Sequence, residues 1–298
     1  MDESDIDVEV LDAIGPWSEL KHEMVAYYAT VYSTILSRAG NGSFHHYYID
    51  GYASAGYNRR KNTGDLVKGS PLRVLGVIPP FEKHFFVELD ETKFRELRKH
   101  CASHKNVEVI HGDANIVLPQ QIFPKVRFNR FERAFCLLDP YNEVALDWKT
   151  IVAASNTKTL DLLIHFPIYS MNIQVLRKDK NYSPEQASRL TRFWGDESWQ
   201  EAAYTTGEML FADMQFKVDN DRFVQAFCER LKVNAGFLGV SKPIPMKSMQ
   251  NNTIYYLIFA SNNKTGVDVI NRVANRFLKV RQPYVVGASA ARTTYRAV

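Results

Sequence analysis

The chain has 298 residues, 45% of them hydrophobic and 23% charged, with a formal net charge of +4. That is enough apolar material for one large α/β domain or two small ones, and the charge is too ordinary for disorder. No apolar run reaches the roughly 18 residues of a membrane span, the start is acidic where a secretory leader is basic and then apolar, and Cys101, Cys136 and Cys228 are widely spaced. A cytoplasmic protein is therefore expected, with no membrane partner, no disulfide framework and no metal site.

Residues 1–12 carry Asp2, Glu3, Asp5, Asp7, Glu9 and Asp12 with no base, which predicts a flexible acidic arm over 1–16 and a folded domain over 17–298. From Trp17 to Arg38 the apolar residues Leu20, Met24, Tyr27, Tyr28, Val31, Ile35 and Leu36 recur at helical spacing, and Gly40-Asn41-Gly42 stops the helix. Lys21 and His22 fall in its first turns, where spacing alone describes an exposed pair on a packing helix.

Next comes Phe44-His45-His46-Tyr47-Tyr48-Ile49, an aromatic and β-branched run typical of a buried parallel strand. It stops at Asp50-Gly51, and the small-residue loop Tyr52-Ala53-Ser54-Ala55-Gly56 follows. Strand, acid and small loop are how a doubly wound sheet approaches a nucleoside cofactor, because little obstructs the backbone. Tyr57 to Asp65, with Arg59, Arg60 and Lys61, is polar and basic, either a flap over a ligand or a surface loop. Gly69-Ser70-Pro71 predicts a helix start with Ser70 as cap and an end at Pro79-Pro80.

Four further strands are predicted to His84–Glu88, Val107–Asp113, Ala134–Tyr141 and Leu160–Pro167, and a last strong one over Thr253–Ser261. Helices are predicted between them, at Glu91–Ser103 and from about Thr265 to Lys279. The alternation indicates a doubly wound, mainly parallel α/β sheet with an N-terminal helix. Residues 168–234, punctuated by Pro184, Trp194-Gly195 and Trp199, read as a helical insertion forming a lid or substrate wall.

Asp50, Glu88, Asp113 and Asp139 all fall at carboxyl strand ends, the edge where such sheets bind ligands. One such acid is more often a helix cap. Four together repel each other unless a ligand rich in cations and donors offsets the repulsion. S-adenosylmethionine is such a ligand, with a sulfonium, an ammonium, a ribose diol and an adenine amine. Glu88 would take the ribose hydroxyls, Asp113 with Ala114 the adenine, and Asp50 with Gly51, Tyr52, Ala53 and Gly56 the methionine end. A nicotinamide dinucleotide needs a G-x-G-x-x-G turn, and a triphosphate a Walker lysine; neither is present.

Asp139-Pro140-Tyr141-Asn142 is good turn chemistry on its own. After a strand it can also do methyl transfer chemistry. A carboxylate and a proline-fixed carbonyl accept both hydrogens of an exocyclic amine, and Tyr141 stacks on a flipped base. His45-His46 reads as core or interface. Ser70 and Ser170 have no evident partner for nucleophilic work. Arg59-Arg60-Lys61 and the terminal Arg272, Arg276, Lys279, Arg281, Arg292 and Arg296 are either phosphate contacts or solubilising charge.

In these motifs the chain resembles the three-Cys-motif partner family of bacterial and phage proteins. The residues concerned are Lys21-His22, Tyr48 to Gly56, Gly69-Ser70-Pro71, Phe86-Val87-Glu88, Gly112-Asp113-Ala114, Leu138-Asp139-Pro140-Tyr141, Phe166-Pro167, Phe193-Trp194-Gly195 with Trp199, and Tyr255 to Phe259. The loop and the Asp-Pro-Tyr segment are also similar to ribosomal-RNA adenine methyltransferases. The resemblance implies a seven-stranded class I methyltransferase-like fold, S-adenosylmethionine as cofactor and a cysteine-motif partner protein. It makes Lys21 and His22 candidate substrate-binding residues, to which the basic composition of the stretch after the loop adds Arg59, Arg60 and Lys61. Ser54 and Asn142 stand where the family usually has glycine, and Ser54 predicts a loop that approaches its ligand less closely. Two functions follow: methyl transfer to an amine of a nucleic-acid base, or a methyltransferase-like scaffold with little or no catalysis that docks a partner.

Overall fold

The computed structural model describes residues 6–143, 145–206, 215–248, 250–263, 266–269 and 271–272. Of the terminal basic residues only Arg272 falls among them. Arg276, Lys279, Arg281, Arg292 and Arg296, with most of the helix expected up to Lys279, lie outside the described residues.

In chain order the elements are β1 (Ala13–Ile14), α1 (Pro16–Arg38), β2 (His45–Asp50), β3 (Tyr57–Arg60), β4 (Leu66–Lys68), α2 (Ser70–Val74), β5 (Lys83–Glu88), α3 (Glu91–Cys101), β6 (Val107–His111), α4 (Ala114–Val117), β7 (Glu132–Leu138), α5 (Trp148–Thr157) and β8 (Leu160–Phe166). There follow α6 (Ile168–Gln174), α7 (Pro184–Trp194), α8 (Trp199–Ala203), β9 (Tyr204–Thr206), β10 (Gln215–Lys217), α9 (Asn220–Val233), β11 (Gly239–Val240), β12 (Ile244–Lys247) and β13 (Thr253–Ser261).

The main sheet has eight strands in the order β11-β13-β8-β7-β2-β5-β6, with β12 also on β13. β2, β5, β6, β7 and β8 are parallel, and β13 runs antiparallel to β8. β12 pairs with the start of β13 and β11 with its end, so the two share one edge position. Seven positions across the sheet result, the number implied by the resemblance. Strand order reverses between β2 and β7, which makes the crevice beyond their carboxyl ends the topological switch point.

Alternate residues of the buried strands pack into two layers. Tyr48, Phe86, Phe135, Leu137, Leu163 and Leu257 meet α1 and α3 on one face. Ile49, Cys136, Leu138, Ile164 and Ile258 meet the other helices on the opposite face. α1 has a proline in its first turn, and Tyr28 lies edge-on to Phe135 and Phe259 with ring centroids 4.7 and 5.0 Å away. The helix crosses the face with its first turns over the carboxyl ends of the strands.

Four expectations need correction. The acidic arm is not free: Ile6 and Leu11 are buried against Ala55, β1 pairs with β3, and Asp12 binds Lys93 at 2.7 Å. The basic stretch after the loop is a hairpin of β3 and β4, because β1 and Ala55 give it something to pack on. α2 is capped by Gly69, not Ser70, and ends at Val74, well before the prolines. The aromatics of the helical insertion do not form a separate lid: Phe193, Trp194, Trp199, Phe223 and Phe227 are buried in the same core as Phe166. No helix among the described residues is long and apolar enough to cross a membrane.

Candidate active site

The loop after β2 is held from all sides. Gly51 N–H donates to the Leu137 carbonyl at 3.0 Å and Ala53 N–H to the Val87 carbonyl at 3.0 Å. Tyr52 N–H donates to Asp50 Oδ1 at 3.2 Å and Ser54 N–H to Glu88 Oε2 at 2.7 Å. The amides of residues 51–54 are thus all engaged inside the protein. What this edge offers a ligand is mainly acceptors, which suits a cationic group and not a pyrophosphate.

Ser54 adopts φ = 53°, the left-handed region that glycine enters without cost. Its hydroxyl donates to Asp12 Oδ2 at 2.7 Å, and Lys93 holds Asp12 from the other side. The amino-terminal segment therefore fastens the loop. That contact joins residues 42 positions apart, and spacing in the sequence does not reveal it.

Asp50 differs from its expected role. Its side chain is wholly buried and accepts from the Ser70 hydroxyl at 2.7 Å, the Tyr48 hydroxyl at 3.3 Å and its own loop. Burial pushes its pKa up to about 7 against these hydrogen bonds. Asp50 shapes the loop and ties α2 to it; it does not reach a ligand. Tyr52 is similarly turned inward, donating its hydroxyl to the Ala145 carbonyl at 2.6 Å. Ala53 and Ala114 are buried, so they can frame a ligand only through backbone.

Glu88 and Asp113 are partly exposed at the ends of β5 and β6. Glu88 accepts Ser54 N–H and Asp90 N–H, one on each oxygen, which leaves lone pairs for two more donors. Asp113 caps α4 by accepting Asn115 N–H at 2.8 Å, the commoner role for such an acid, and keeps acceptor capacity. Next to these acids stand two exposed apolar side chains, Leu89 at 66% and Ile116 at 52%. A flat apolar ring could lie against them. No sequence motif marks either residue; their exposure beside the strand-end acids is visible only in the fold.

The second half of the edge is built around Asp139. Lys21 Nζ stands 2.5 Å from Asp139 Oδ2, and the two side chains are only 12% and 13% exposed. α1 thus delivers Lys21 to the end of β7, and the exposed-pair reading of Lys21-His22 is wrong on both counts because His22 is buried as well. His165 Nδ1 lies 3.7 Å from Asp139 Oδ1, and the His165 ring sits 4.5 Å from the Tyr255 ring. The Lys21 ammonium is 5.6 Å from that same ring. Burial raises the Asp139 pKa, but the Lys21 ammonium outweighs it, and the carboxyl stays below its ordinary value. Burial, then Lys21, lowers His22 to about 3, and burial lowers His165 to about 4, so both imidazoles are neutral.

Pro140 follows, with its carbonyl close enough to the His165 ring to support that ring's protonation slightly. Tyr141 projects outward at 91% exposure. Glu143 is buried and accepts the Ser170 hydroxyl at 2.8 Å, which gives both residues a structural partner. Asn115 links the two halves: it donates to the Ala145 carbonyl at 2.9 Å and accepts Asp147 N–H at 2.8 Å.

The basic hairpin is less available than its composition implies. Arg60 grips Glu19 with two bonds of 2.9 Å and reaches Asp65 at 3.1 Å, so it anchors α1 and is not a free substrate contact. Arg59 and Lys61 are exposed. His46 is buried and bonded to the Ser33 hydroxyl at 2.8 Å, while His45 pairs with Glu82.

No protein-family model matches the chain, and no curated protein matches it. The likeness to the three-Cys-motif partner family and to ribosomal-RNA adenine methyltransferases is thus not confirmed by either comparison. Among solved structures, protein LPL1258 of Legionella pneumophila, assigned to the DUF519 family model, is similar over 92% of this chain and 94% of its own, with 14% identity and a TM-score of 0.51. The N-terminal domain of EvdMO1, solved with S-adenosylhomocysteine and D-fucose, covers 81% of this chain and 84% of its own at 14% identity and TM-score 0.41. Aeropyrum pernix fibrillarin, with natively bound S-adenosylmethionine, covers 82% of this chain and 76% of its own at 11% identity and TM-score 0.38. These are likenesses of fold. The chain has a doubly wound, Rossmann-like α/β fold, as its strand order also indicates.

Proposed function

We propose that the protein is an S-adenosylmethionine-dependent methyltransferase that modifies an exocyclic amine of a nucleic-acid base. The observation that carries the reading is the Lys21–Asp139 pair, 2.5 Å apart and nearly buried beside the exposed Tyr141 at the switch point of the sheet. The cofactor fits the neighbouring crevice by the chemistry of its residues. Glu88 has acceptor capacity for a ribose diol, Asp113 for an adenine amine, and Leu89 and Ile116 are apolar surfaces for the ring. The loop's engaged amides leave an acceptor-rich edge for sulfonium and ammonium.

When bound there, the cofactor supplies an activated methyl group. The protein's part is orientation and charge. Asp139 stays ionised because Lys21 faces it, so it accepts one amine hydrogen without acting as a strong base. The Pro140 carbonyl accepts the other, and the lone pair turns toward the methyl group. Positive charge arriving on the amine as it takes the methyl group would be stabilised by the Asp139 carboxylate more than the neutral ground state is, and the methylated amine would then release one proton to solvent. Tyr141 offers an exposed face for the base.

The test follows labelled methyl transfer to mixed DNA and RNA, with and without a cysteine-motif partner, alongside calorimetry with S-adenosylhomocysteine. Wild type should bind the nucleoside and transfer methyl groups, and Asp139→Ala should bind equally and transfer none. Binding without any transfer would leave the partner-docking scaffold as the function. Absence of binding at millimolar ligand would remove the cofactor and with it this reading.

A further inference from the structure

We propose that the outward face of α6 together with Lys178, Lys180 and Lys217 is a track that holds single-stranded nucleic acid and leads it to Asp139. The inference rests on the methyltransferase reading and gives its substrate a path.

α6 begins two residues after β8 ends, next to the Asp139–Tyr141 segment, and the Ser170–Glu143 hydrogen bond ties the two together. Its outward side carries Tyr169, 56% exposed, and Ile173, 47% exposed, one turn apart on the same stripe. Scattered exposed apolar residues are ordinary. Here a tyrosine and an isoleucine stand on the helix braced against the loop that presents Tyr141, whose side chain is also uncovered.

Beyond α6 the surface turns basic. Arg177, Lys178 and Lys180 are exposed, and Lys217 of β10 comes alongside, donating to Asn172 Oδ1 of α6 at 2.7 Å. The Lys180 ammonium lies over the Tyr204 ring at 4.5 Å, and the Tyr204 hydroxyl donates to the Arg177 carbonyl at 2.9 Å, so this turn is braced. Among the described residues none of these four cations has an ion-pair partner within 4.0 Å. Of the described acids near them in sequence, Asp179 accepts Asn181 N–H, Asp219 accepts Arg222 N–H and Asp221 accepts the Tyr256 hydroxyl. Burial, and then the neighbouring Lys178, lowers the Lys217 pKa. Cations clustered at one end of the exposed α6 face suit a polyanion.

Exposed aromatic and aliphatic faces followed by a cluster of cations match a strand with bases on one side and phosphates on the other. Stacking needs unpaired bases, which selects single strands over duplex. An acidic peptide would use the cations but not the Tyr169 face.

Fluorescence anisotropy with labelled oligonucleotides of about twelve nucleotides, as RNA, as DNA and as duplex, tests this. Wild type should prefer the single strands, and the two sugar types show which is the substrate. Tyr169→Ala should weaken binding about tenfold. Lys178→Ala should lower the slope of log affinity against log salt by about one unit. Both residues lie on the surface, and calorimetry with S-adenosylhomocysteine should give wild-type affinity for each variant. Single strands bound equally by wild type and both variants would overturn the track while leaving the methyltransferase reading intact. Binding of no strand by wild type, with the nucleoside still bound, would overturn both the track and the nucleic-acid substrate. Equal preference for duplex would also overturn the track, since stacking on Tyr169 would then have no part.

Discussion

Asp50 and Asp139 make a controlled comparison inside one molecule. They end neighbouring strands, Asp50 paired in register with Leu137, and their side chains share one face of the sheet. Both are withdrawn from water. Yet burial carries Asp50 up to about 7, while Asp139 falls below its ordinary value. Asp50 has only neutral donors, the Ser70 and Tyr48 hydroxyls and the Tyr52 amide, which soften desolvation without cancelling it. Asp139 has the Lys21 ammonium at 2.5 Å. Hydrogen bonds make a buried carboxyl tolerable; a buried cation keeps it charged. That division matches the parts assigned to them, one shaping the loop and the other meeting a developing positive charge.

The largest expected effect comes from removing the cation. Lys21→Met strands the Asp139 carboxylate, and unfolding in urea should show a loss on the order of 3 kcal/mol, the scale for breaking a buried pair by one partner. Adding Asp139→Leu should recover most of that loss, because an apolar pair needs no counterion, and methyl transfer should stay absent in both variants. A double variant as unstable as Lys21→Met alone would show that the helix packing, not the ion pair, carries the effect, and the contrast with Asp50 would collapse.

How far these roles could be read from the sequence depends on contact range. The alternation of strands and helices is a local pattern, and the sheet bears it out. The acids and the Asp-Pro-Tyr segment are local patterns too, and they fall at or just past the strand ends. The Lys21–Asp139 pair joins α1 to β7, and nothing in the spacing around Lys21 distinguishes it from a solvated lysine; only the family resemblance marked it. Local sequence makes Ser70 a helix cap because its actual partner, Asp50, lies 20 positions away. Arg60 looked like a phosphate contact because composition cannot show Glu19 waiting across α1. The packing of the amino-terminal segment is illegible for the same reason: its run of acids reads as a flexible arm, while Ile6 and Leu11 find Ala55 only in three dimensions.

A smaller effect sharpens the comparison through pH. The raised Asp50 means the folded protein holds this proton more tightly than the unfolded chain, so its contribution is greatest below about pH 4 and is lost as pH rises toward 7. Asp139, lowered, contributes above its unfolded value and loses that contribution as pH falls through its folded value. Asp50→Asn keeps an acceptor for Tyr52 N–H, and the hydroxyls of Ser70 and Tyr48 can turn to accept from the new amide. Its stability relative to wild type should therefore rise between pH 4 and 7, by up to roughly 4 kcal/mol if the full shift is expressed. Asp161 is raised to about 7 as well, by burial against its Ser261 bond, and contributes the same slope to both proteins, so the difference between them isolates Asp50. Parallel stability curves across that range would mean Asp50 stays charged, and the two acids would then be alike.

The smallest expected effect lies at Ser54, where two terms oppose. The left-handed φ of 53° costs a serine about 1 kcal/mol relative to glycine. The hydroxyl recovers a similar amount, about 1 kcal/mol, through its bond to Asp12. Ser54→Gly removes both and should leave thermal stability nearly unchanged. Asp12→Ala removes only the favourable part, leaves Lys93 without its partner and should cost about 1 kcal/mol. The readout that separates fastening from mere stability is nucleoside affinity. Glu88 is positioned by Ser54 N–H, so a loosened loop should weaken S-adenosylhomocysteine binding several-fold in Asp12→Ala by calorimetry, at temperatures where the variant is fully folded. Ser54→Gly in the Asp12→Ala background should then bring back stability by relieving the strain, but not affinity, because the segment that fastens the loop is still missing. Recovery of both together would show that strain at Ser54, and not the contact with Asp12, governs the loop.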